Sequence, residues 1–296
     1  MQPLGNHNKP HPCVHTDEVK QYIDLPFDYL NPVQSDFLPY LEEDNTNIIV
    51  ASETSSGKTL IAELFAARAI SLGKRVIYIC PMKALADEKF FEWTDEVHTF
   101  SKYNVKILTG DIEITEKLKK SLINADIIIL TPEMFNSKCR FFSKHDWLSN
   151  TVLVGDEIHL IGLDGRGDSE EVGIIQYFEN SKDSRTLFLS ATLPNVDDFG
   201  KWLDHMTGRP SILIKSAYRP CKLNKVFIEF HSSSSYAQTE ENRMEKVIEL
   251  VQKYDGESIL IFVGAKAFGY KLSGRLKRLK IDHRFHSADL SREDKK

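Results

Sequence analysis

Short apolar runs alternate with longer stretches of helical period along the first two-thirds of the chain. The runs are Asn47–Ala51, Arg75–Cys80, Val105–Leu108, Asp126–Leu130, Thr151–Val154 and Thr186–Leu189. Most stay apolar throughout instead of alternating with polar residues. That pattern predicts strands buried on both faces, and so a parallel sheet with helices on either side. Helical period over Leu60–Ser71, Ala84–His98, Glu113–Leu122, Glu170–Asn180 and Asp197–His205 supplies the crossovers. The fold class is therefore α/β, in repeated βα units, and ligands of such sheets gather where the strands end at their carboxyl side.

The alternation lapses from Ser211 to His231, where Tyr218-Arg219-Pro220 breaks the pattern, and His231-Ser232-Ser233-Ser234-Ser235 reads as polar irregular chain. It restarts with a helix over Glu240–Tyr254, a strand over Ser258–Val263, a basic helix over Lys266–Lys280 and a strand over Ile281–Phe285. The expected organisation is a flexible tail (1–20), a first domain (21–215), a connecting segment (216–238) and a partial second domain (239–296). Two strands do not close a core of ordinary size. The second domain is therefore expected to be unfinished and the chain to be a fragment. The basic helix carries Lys271, Arg275, Lys277, Arg278 and Lys280, which suits either a nucleic-acid contact or a solvated face.

Composition narrows the setting. The chain has 296 residues, 41% hydrophobic and 27% charged, with a formal net charge of -5, so no global positive field attracts polyanions. Cys13, Cys80, Cys139 and Cys221 lack metal-ligand spacing and read as reduced thiols. The polar N-terminus, with His7, His11 and His15, has no apolar core of a secretory signal, and no run reaches membrane-spanning length. The expectation is an intracellular protein, cytoplasmic or nuclear, with no membrane partner.

The chemistry begins at Thr54-Ser55-Ser56-Gly57-Lys58-Thr59, between the first strand and the first crossover helix. This is the setting of a P-loop. Backbone N–H groups at a helix start face phosphate oxygens, and glycine allows close approach. Lys58 places a cation between terminal phosphates, and the Thr59 hydroxyl suits Mg²⁺. The usual first glycine of the pattern is Ser52 here. Asp156-Glu157-Ile158-His159 ends the fifth run, at the same sheet edge. Alone, such an acidic pair reads as a helix cap. Beside a P-loop it reads as an Mg²⁺-holding Asp156 and a water-activating Glu157.

Further strand-end segments join these two. They are Pro81-Met82-Lys83-Ala84-Leu85, Thr109-Gly110-Asp111, Thr131-Pro132-Glu133 and Ser190-Ala191-Thr192, with Phe27 and Asn31-Pro32-Val33-Gln34 upstream of the P-loop. Their order resembles the superfamily-two DExH-box helicases over nearly the whole chain after the tail. Tyr218-Arg219-Pro220 and His286-Ser287-Ala288-Asp289-Leu290-Ser291 resemble its Ski-like branch, which includes archaeal DNA repair helicases and RNA exosome and spliceosome helicases. Phe262-Val263-Gly264 is similar to that family's first motif in its second domain.

The resemblance implies a RecA-like fold and an ATP- and Mg²⁺-dependent motor acting on single-stranded or partly duplex nucleic acid. Gln34 would read adenine with Phe27 packing nearby, and Thr54 to Thr59 would cradle the phosphates. His159, Ser190, Ala191 and Thr192 would couple the nucleotide to a groove lined by Pro81, Lys83, Thr109, Gly110, Asp111, Thr131, Pro132 and Glu133. Backbone-phosphate contacts of this kind do not read sequence. Spacing between motifs is more similar to the archaeal repair members, which favours DNA slightly over RNA. A family arginine finger would fall after Lys296, so this chain is expected to hydrolyse ATP feebly alone. The alternative is a non-catalytic ATP- and nucleic-acid-binding module. A small-molecule kinase or GTPase would need a substrate lid or a guanine-reading Asn-Lys-x-Asp, and neither is present.

Overall fold

The computed structural model describes residues 13–110, 115–141, 148–162, 167–181, 184–191 and 194–287. Their contacts divide into two compact units, Met1–Lys222 and Leu223–Lys296.

In the first unit the strands are β1 (Asn47–Ser52), β2 (Arg75–Ile79), β3 (Val105–Leu108), β4 (Ile127–Leu130), β5 (Thr151–Gly155), β6 (Thr186–Ser190) and β7 (Ser211–Ser216). Its helices are α1 (Pro32–Leu41), α2 (Lys58–Ser71), α3 (Lys83–Thr94), α4 (Glu116–Ile123), α5 (Pro132–Phe141), α6 (Gly167–Asn180) and α7 (Val196–Thr207). The strands form one sheet in the order β3-β4-β2-β5-β6-β1-β7. Every pairing is parallel, as the unbroken apolar runs predict.

Each strand shares its residues between two cores. Ile48, Val50, Val76, Tyr78, Val152 and Val154 face one core, with Leu30, Phe37, Phe65 and Trp93. Ile49, Ile77, Ile79, Leu153 and Phe188 face the other, with Phe135, Ile174, Tyr177 and Leu203. A strand that presents hydrocarbon on both faces cannot show period-two alternation, which is why these runs read as continuous.

Local chemistry sets the element ends. Asn31 caps α1: its side chain accepts from Gln34 N–H, the Gln34 side chain accepts from Asn31 N–H, and Pro32 occupies the first turn. Gly208, with φ 68°, closes α7 in the left-handed region and donates to the Asp204 carbonyl at 2.8 Å. At the amino ends of the strands, Arg185 is 3% exposed and acts as a clamp. Its guanidinium donates to the carbonyls of Leu41 (2.8 Å), Thr46 (3.1 Å) and Tyr40.

Three expectations need correction. The tail does not extend to residue 20. Val14 N–H donates to Ser35 Oγ at 3.0 Å, Thr16 Oγ1 donates to the Phe27 carbonyl at 2.8 Å, and Val19 is fully buried. His15 accepts from Asp17 N–H there, a capping contact within a 3-10 turn. Second, Ser211–Ser216, placed at the start of the boundary, is strand β7, which pairs with β1 over six residues. It is an edge strand, mostly half-buried, so its pattern lacks the strong apolar signal of the inner strands.

Third, the second unit holds helices α8 (Tyr236–Lys253) and α9 (Lys266–Arg278), but 258–263 and 281–285 form no ladder among the described residues. A strand exists only where a neighbour accepts its hydrogen bonds, and here the apolar side chains pack without one. Val263, Ile261 and Ile281 lie against a small core of Met244, Phe268, Leu272 and Leu276. Asp111, Thr192, His7, His11 and Ala288–Ser291 lie outside the described residues. Among the described residues no helix is long and apolar enough to cross a membrane.

Replacing Arg185 with Met keeps an aliphatic stem but leaves buried carbonyls without their donor. This should cost about 2–4 kcal/mol of stability in urea unfolding. A loss below roughly 0.5 kcal/mol, the range of an ordinary surface change, would contradict the clamp.

Candidate functional site

A parallel sheet brings every carboxyl end to one edge, and the strand order sorts what arrives there. β1, β6 and β5 lie side by side and end in Ser52, Ser190 and Gly155. They deliver the P-loop, Ser190-Ala191 and Asp156-Glu157. β2, β4 and β3 lie beyond them and deliver Pro81 and Lys83, Thr131-Pro132-Glu133, and Thr109-Gly110. The first group is the candidate nucleotide site and the second is the candidate strand groove.

The P-loop is held from beneath. Ser52 and Ser56 are fully buried and their hydroxyls lie 2.7 Å apart. The serine at the usual glycine position therefore ties the loop's first residue to its fifth. Ser55 and Gly57 have φ of 65° and 83°. Gly57 is the N-cap of α2, whose first turn has no side-chain cap, so its N–H groups remain available to an anion. Thr54, Ser55 and Thr59 are exposed at the loop surface. Asn31 and Gln34 brace the turn: Asn31 Nδ2 donates to the Ser56 carbonyl at 2.9 Å and Gln34 Nε2 to the Gly57 carbonyl at 3.1 Å. A β-carbon on Gly57 would lie 2.4 Å from Gln34 Nε2. Phe27, 42% exposed, lies on the segment that leads into this brace.

Lys58 is buried, and its ammonium donates to the carbonyls of Ser52 (2.9 Å) and Glu53 (3.1 Å). Burial pulls its pKa below the ordinary lysine value, against the opposing charges of Glu157, Asp156 and Glu53. The carboxylates at the end of β5 therefore lie within electrostatic reach of the P-loop lysine. Arg219, in the segment after β7, pairs with Glu53. In the sequence Arg219 stands in the Tyr218-Arg219-Pro220 triplet, and no local signal links it to a residue 166 positions away.

Asp156 is fixed on three sides. Its backbone N–H donates to the Ile79 carbonyl at 3.0 Å, Oδ1 accepts from Glu157 N–H at 3.0 Å, and Oδ2 accepts from Tyr78 Oη at 2.8 Å. Tyr78 was not singled out by the sequence. Burial, then the Asp156 charge, raises its phenol well above the ordinary value, so it stays a donor. Glu157 has φ 51°, in the left-handed region, which is rare for a residue with a side chain. Its Oε2 is buried without a hydrogen-bond partner and lies 3.3 Å from His159 Nδ1. Strained backbone and an unsatisfied carboxylate oxygen are characteristic of functional positions. His159 Nδ1 also accepts from Ala191 N–H at 3.3 Å. This contact joins the β5 and β6 loops directly. Ser190 is buried, and its hydroxyl lacks a partner.

In the groove group, Lys83 Nζ would lie 3.5 Å from a β-carbon on Gly110, so the β2 and β3 loops meet. Thr109, Thr131 and Pro132 are buried, while Lys83 and Glu133 are exposed. Glu170, on α6, is 2% exposed, and its Oε1 has no hydrogen-bond partner. Burial, then the charges of Glu133 and Asp156, pushes its carboxyl up to about 8.

An all-oxygen donor set at Thr59 and Asp156 suits a hard divalent cation. Among the described residues, Glu63, Glu92 and His98 also lie close together. There, however, His98 Nδ1 accepts from Phe100 N–H, which leaves the proton on Nε2, 3.6 Å from Glu63 Oε1. The same oxygen accepts from Trp93 Nε1 at 2.9 Å. Glu92 pairs instead with Lys89 Nζ at 2.6 Å, so each member of this cluster already has a protein partner and the cluster carries no metal assignment.

Two predictions follow from this geometry. Gly57→Ala should cost roughly 1–3 kcal/mol in thermal or urea unfolding. Adding Gln34→Ala should restore only part of the loss, because Asn31 Nδ2 would still lie 2.8 Å from that β-carbon and the left-handed backbone is unchanged. Full restoration would show that φ is unimportant. The second concerns pH. An unfolded glutamate ionises near 4.5, so between there and about 8 the folded chain holds a proton on Glu170 that the unfolded chain has released. Stability falls as pH rises through that window, by at most about 1.4 kcal/mol per pH unit. Glu170→Gln should flatten the decline in melting temperature between pH 5 and pH 8, and an unchanged slope would contradict the assignment.

Comparison with known proteins shows the family. The family model described as DEAD/DEAH box helicase matches residues 31–199, from the α1 cap to α7. The chain is 35% identical over 261 residues to the ATP-dependent DNA helicase Hel308 of Pyrococcus abyssi, which covers 85% of this chain and 33% of that protein. It is 32% identical over 256 residues to the ATP-dependent DNA helicase MER3 of Saccharomyces cerevisiae, covering 81% of this chain and 21% of the relative. It is also 32% identical over 234 residues to the probable ATP-dependent DNA helicase HFM1 of Mus musculus, covering 72% and 16%. The chain thus spans about a third or less of the length of these curated relatives. With the RecA-like sheet, the strand-end motifs and the family match in agreement, the chain belongs to the DEAD/DEAH box helicase family.

Proposed function

We propose that this chain carries the nucleotide-binding half of an ATP-dependent nucleic-acid helicase, with DNA as its favoured strand. The supporting observation is that the P-loop with Lys58 and the acidic pair Asp156-Glu157 leave the carboxyl ends of β1 and β5 at one edge of a parallel sheet, where Glu157 combines left-handed backbone with an unsatisfied buried oxygen. The preference for DNA rests on the relatives, whose names describe DNA helicases.

In this reading the P-loop amides from Thr54 to Thr59 and the start of α2 hold the phosphates, with Lys58 between the terminal two. Thr59 and Asp156 hold Mg²⁺, which when bound neutralises phosphate charge. Glu157 orients and deprotonates the attacking water. Gln34 keeps one donor and one acceptor valence beyond its bonds to Gly57 and Asn31, the complement of the adenine N7 and amino group. Phe27 packs beside the base. The His159–Ala191 contact carries the nucleotide state toward Thr192 and the groove of Pro81, Lys83, Thr109-Gly110-Asp111 and Thr131-Pro132-Glu133, which grips the backbone of one strand.

Binding of a fluorescent ATP analogue and single-turnover hydrolysis test this account. Lys58→Ala should abolish nucleotide binding. Glu157→Gln should preserve binding and lower the single-turnover rate by roughly 10²–10⁴-fold. Wild-type turnover in Glu157→Gln would remove the assigned base. Turnover no faster in the wild type than in Glu157→Gln would favour a binding module without catalysis.

A further inference from the structure

Tyr78 carries a polar group into a face of the sheet whose surroundings are mainly hydrocarbon. Its register partners are Ile129 on β4 and Val154 on β5, and Val76 precedes it on the same face of β2. Its ring is wholly buried and meets Trp93 edge-on at 5.0 Å. A phenol costs free energy in such surroundings unless its hydroxyl finds a partner. A phenylalanine would fill the same space without that cost. The hydroxyl instead reaches past the end of the sheet and donates to Asp156 Oδ2 at 2.8 Å. Asp156 Oδ1 is held by Glu157 N–H, so each carboxylate oxygen has one fixed donor and retains lone-pair capacity.

We propose that Tyr78 is a positioning residue, whose hydroxyl sets the orientation of the Asp156 carboxylate for the divalent cation that accompanies the nucleotide. The inference rests on the proposed role of Asp156 and goes beyond it by assigning the group that aims that carboxylate. Outer-layer hydrogen bonds of this kind orient a metal ligand and restrict its rotation, and their loss weakens metal binding while leaving the rest of the site intact.

The test is Mg²⁺ titration of the 296-residue chain at fixed N-methylanthraniloyl-ATP, read by fluorescence and repeated in EDTA. Tyr78→Phe should raise the Mg²⁺ concentration at half-saturation by roughly tenfold or more, within the range for lost outer-layer contacts. Its nucleotide affinity in EDTA should match the wild type. Asp156→Asn should raise the Mg²⁺ requirement as well, and adding Tyr78→Phe to it should produce no further change.

If Asp156→Asn shifts the titration and Tyr78→Phe does not, the inference fails while the role of Asp156 stands. An unshifted Asp156→Asn overturns that role and the inference with it. Equal weakening in EDTA, or a full additional effect in the double variant, would assign Tyr78 to general structure. So would failure of Tyr78→Phe to fold.

Discussion

A sheet whose strands all run the same way has no choice about where its loops collect. Parallel pairing on β1, β2, β5 and β6 needs crossovers that cover both faces, and the two hydrocarbon layers that result make the strands rigid. Rigidity matters because the site is built from strand ends separated by more than a hundred residues in sequence. The strand order then assigns neighbours: P-loop beside Ser190, Ser190 beside Asp156, and the candidate groove beyond. Each functional contact between loops depends on that order.

Within this frame the P-loop shows how strain is contained. Two consecutive turns depart from ordinary backbone, at Ser55 and Gly57, and four side chains hold them there. Ser52 and Ser56 join beneath the loop, while Asn31 and Gln34 reach its carbonyls from α1. The same capping pair that starts α1 therefore shapes the phosphate turn, which links a local helix signal to the chemistry of the site. Glu157 shows the other side of the arrangement. Its left-handed backbone and partnerless oxygen persist because Asp156 on one side and the His159–Ala191 contact on the other are fixed.

What was legible in the sequence follows from these causes. Inner strands were readable because burial on both faces leaves continuous apolar runs; β7, at the edge and half-buried, was not. The turn at Thr54–Thr59 and the pair Asp156-Glu157 could be placed at one sheet edge because each directly follows a buried apolar strand. Gln34 was noticed as a base-reading residue, and its three-residue spacing from Asn31 also carried a capping-box signal that predicts the brace on α1. Tyr78 to Asp156 and Arg219 to Glu53 left no local trace, since only strand pairing and chain return bring them together. The expected strands in the second unit were misread because an apolar run identifies a buried segment without supplying a ladder partner.

The central claim is that nucleotide and nucleic acid share one edge of the sheet in two adjacent zones. Amide hydrogen exchange, with and without Mg²⁺–ATP analogue and single-stranded DNA, addresses it directly. The account predicts that nucleotide slows exchange at Thr54–Thr59 and Asp156–His159, and that DNA slows it around Lys83, Gly110 and Thr131. Protection at the opposite edge, around Lys74, Asn150 and Ser184, with none at the P-loop, would contradict it.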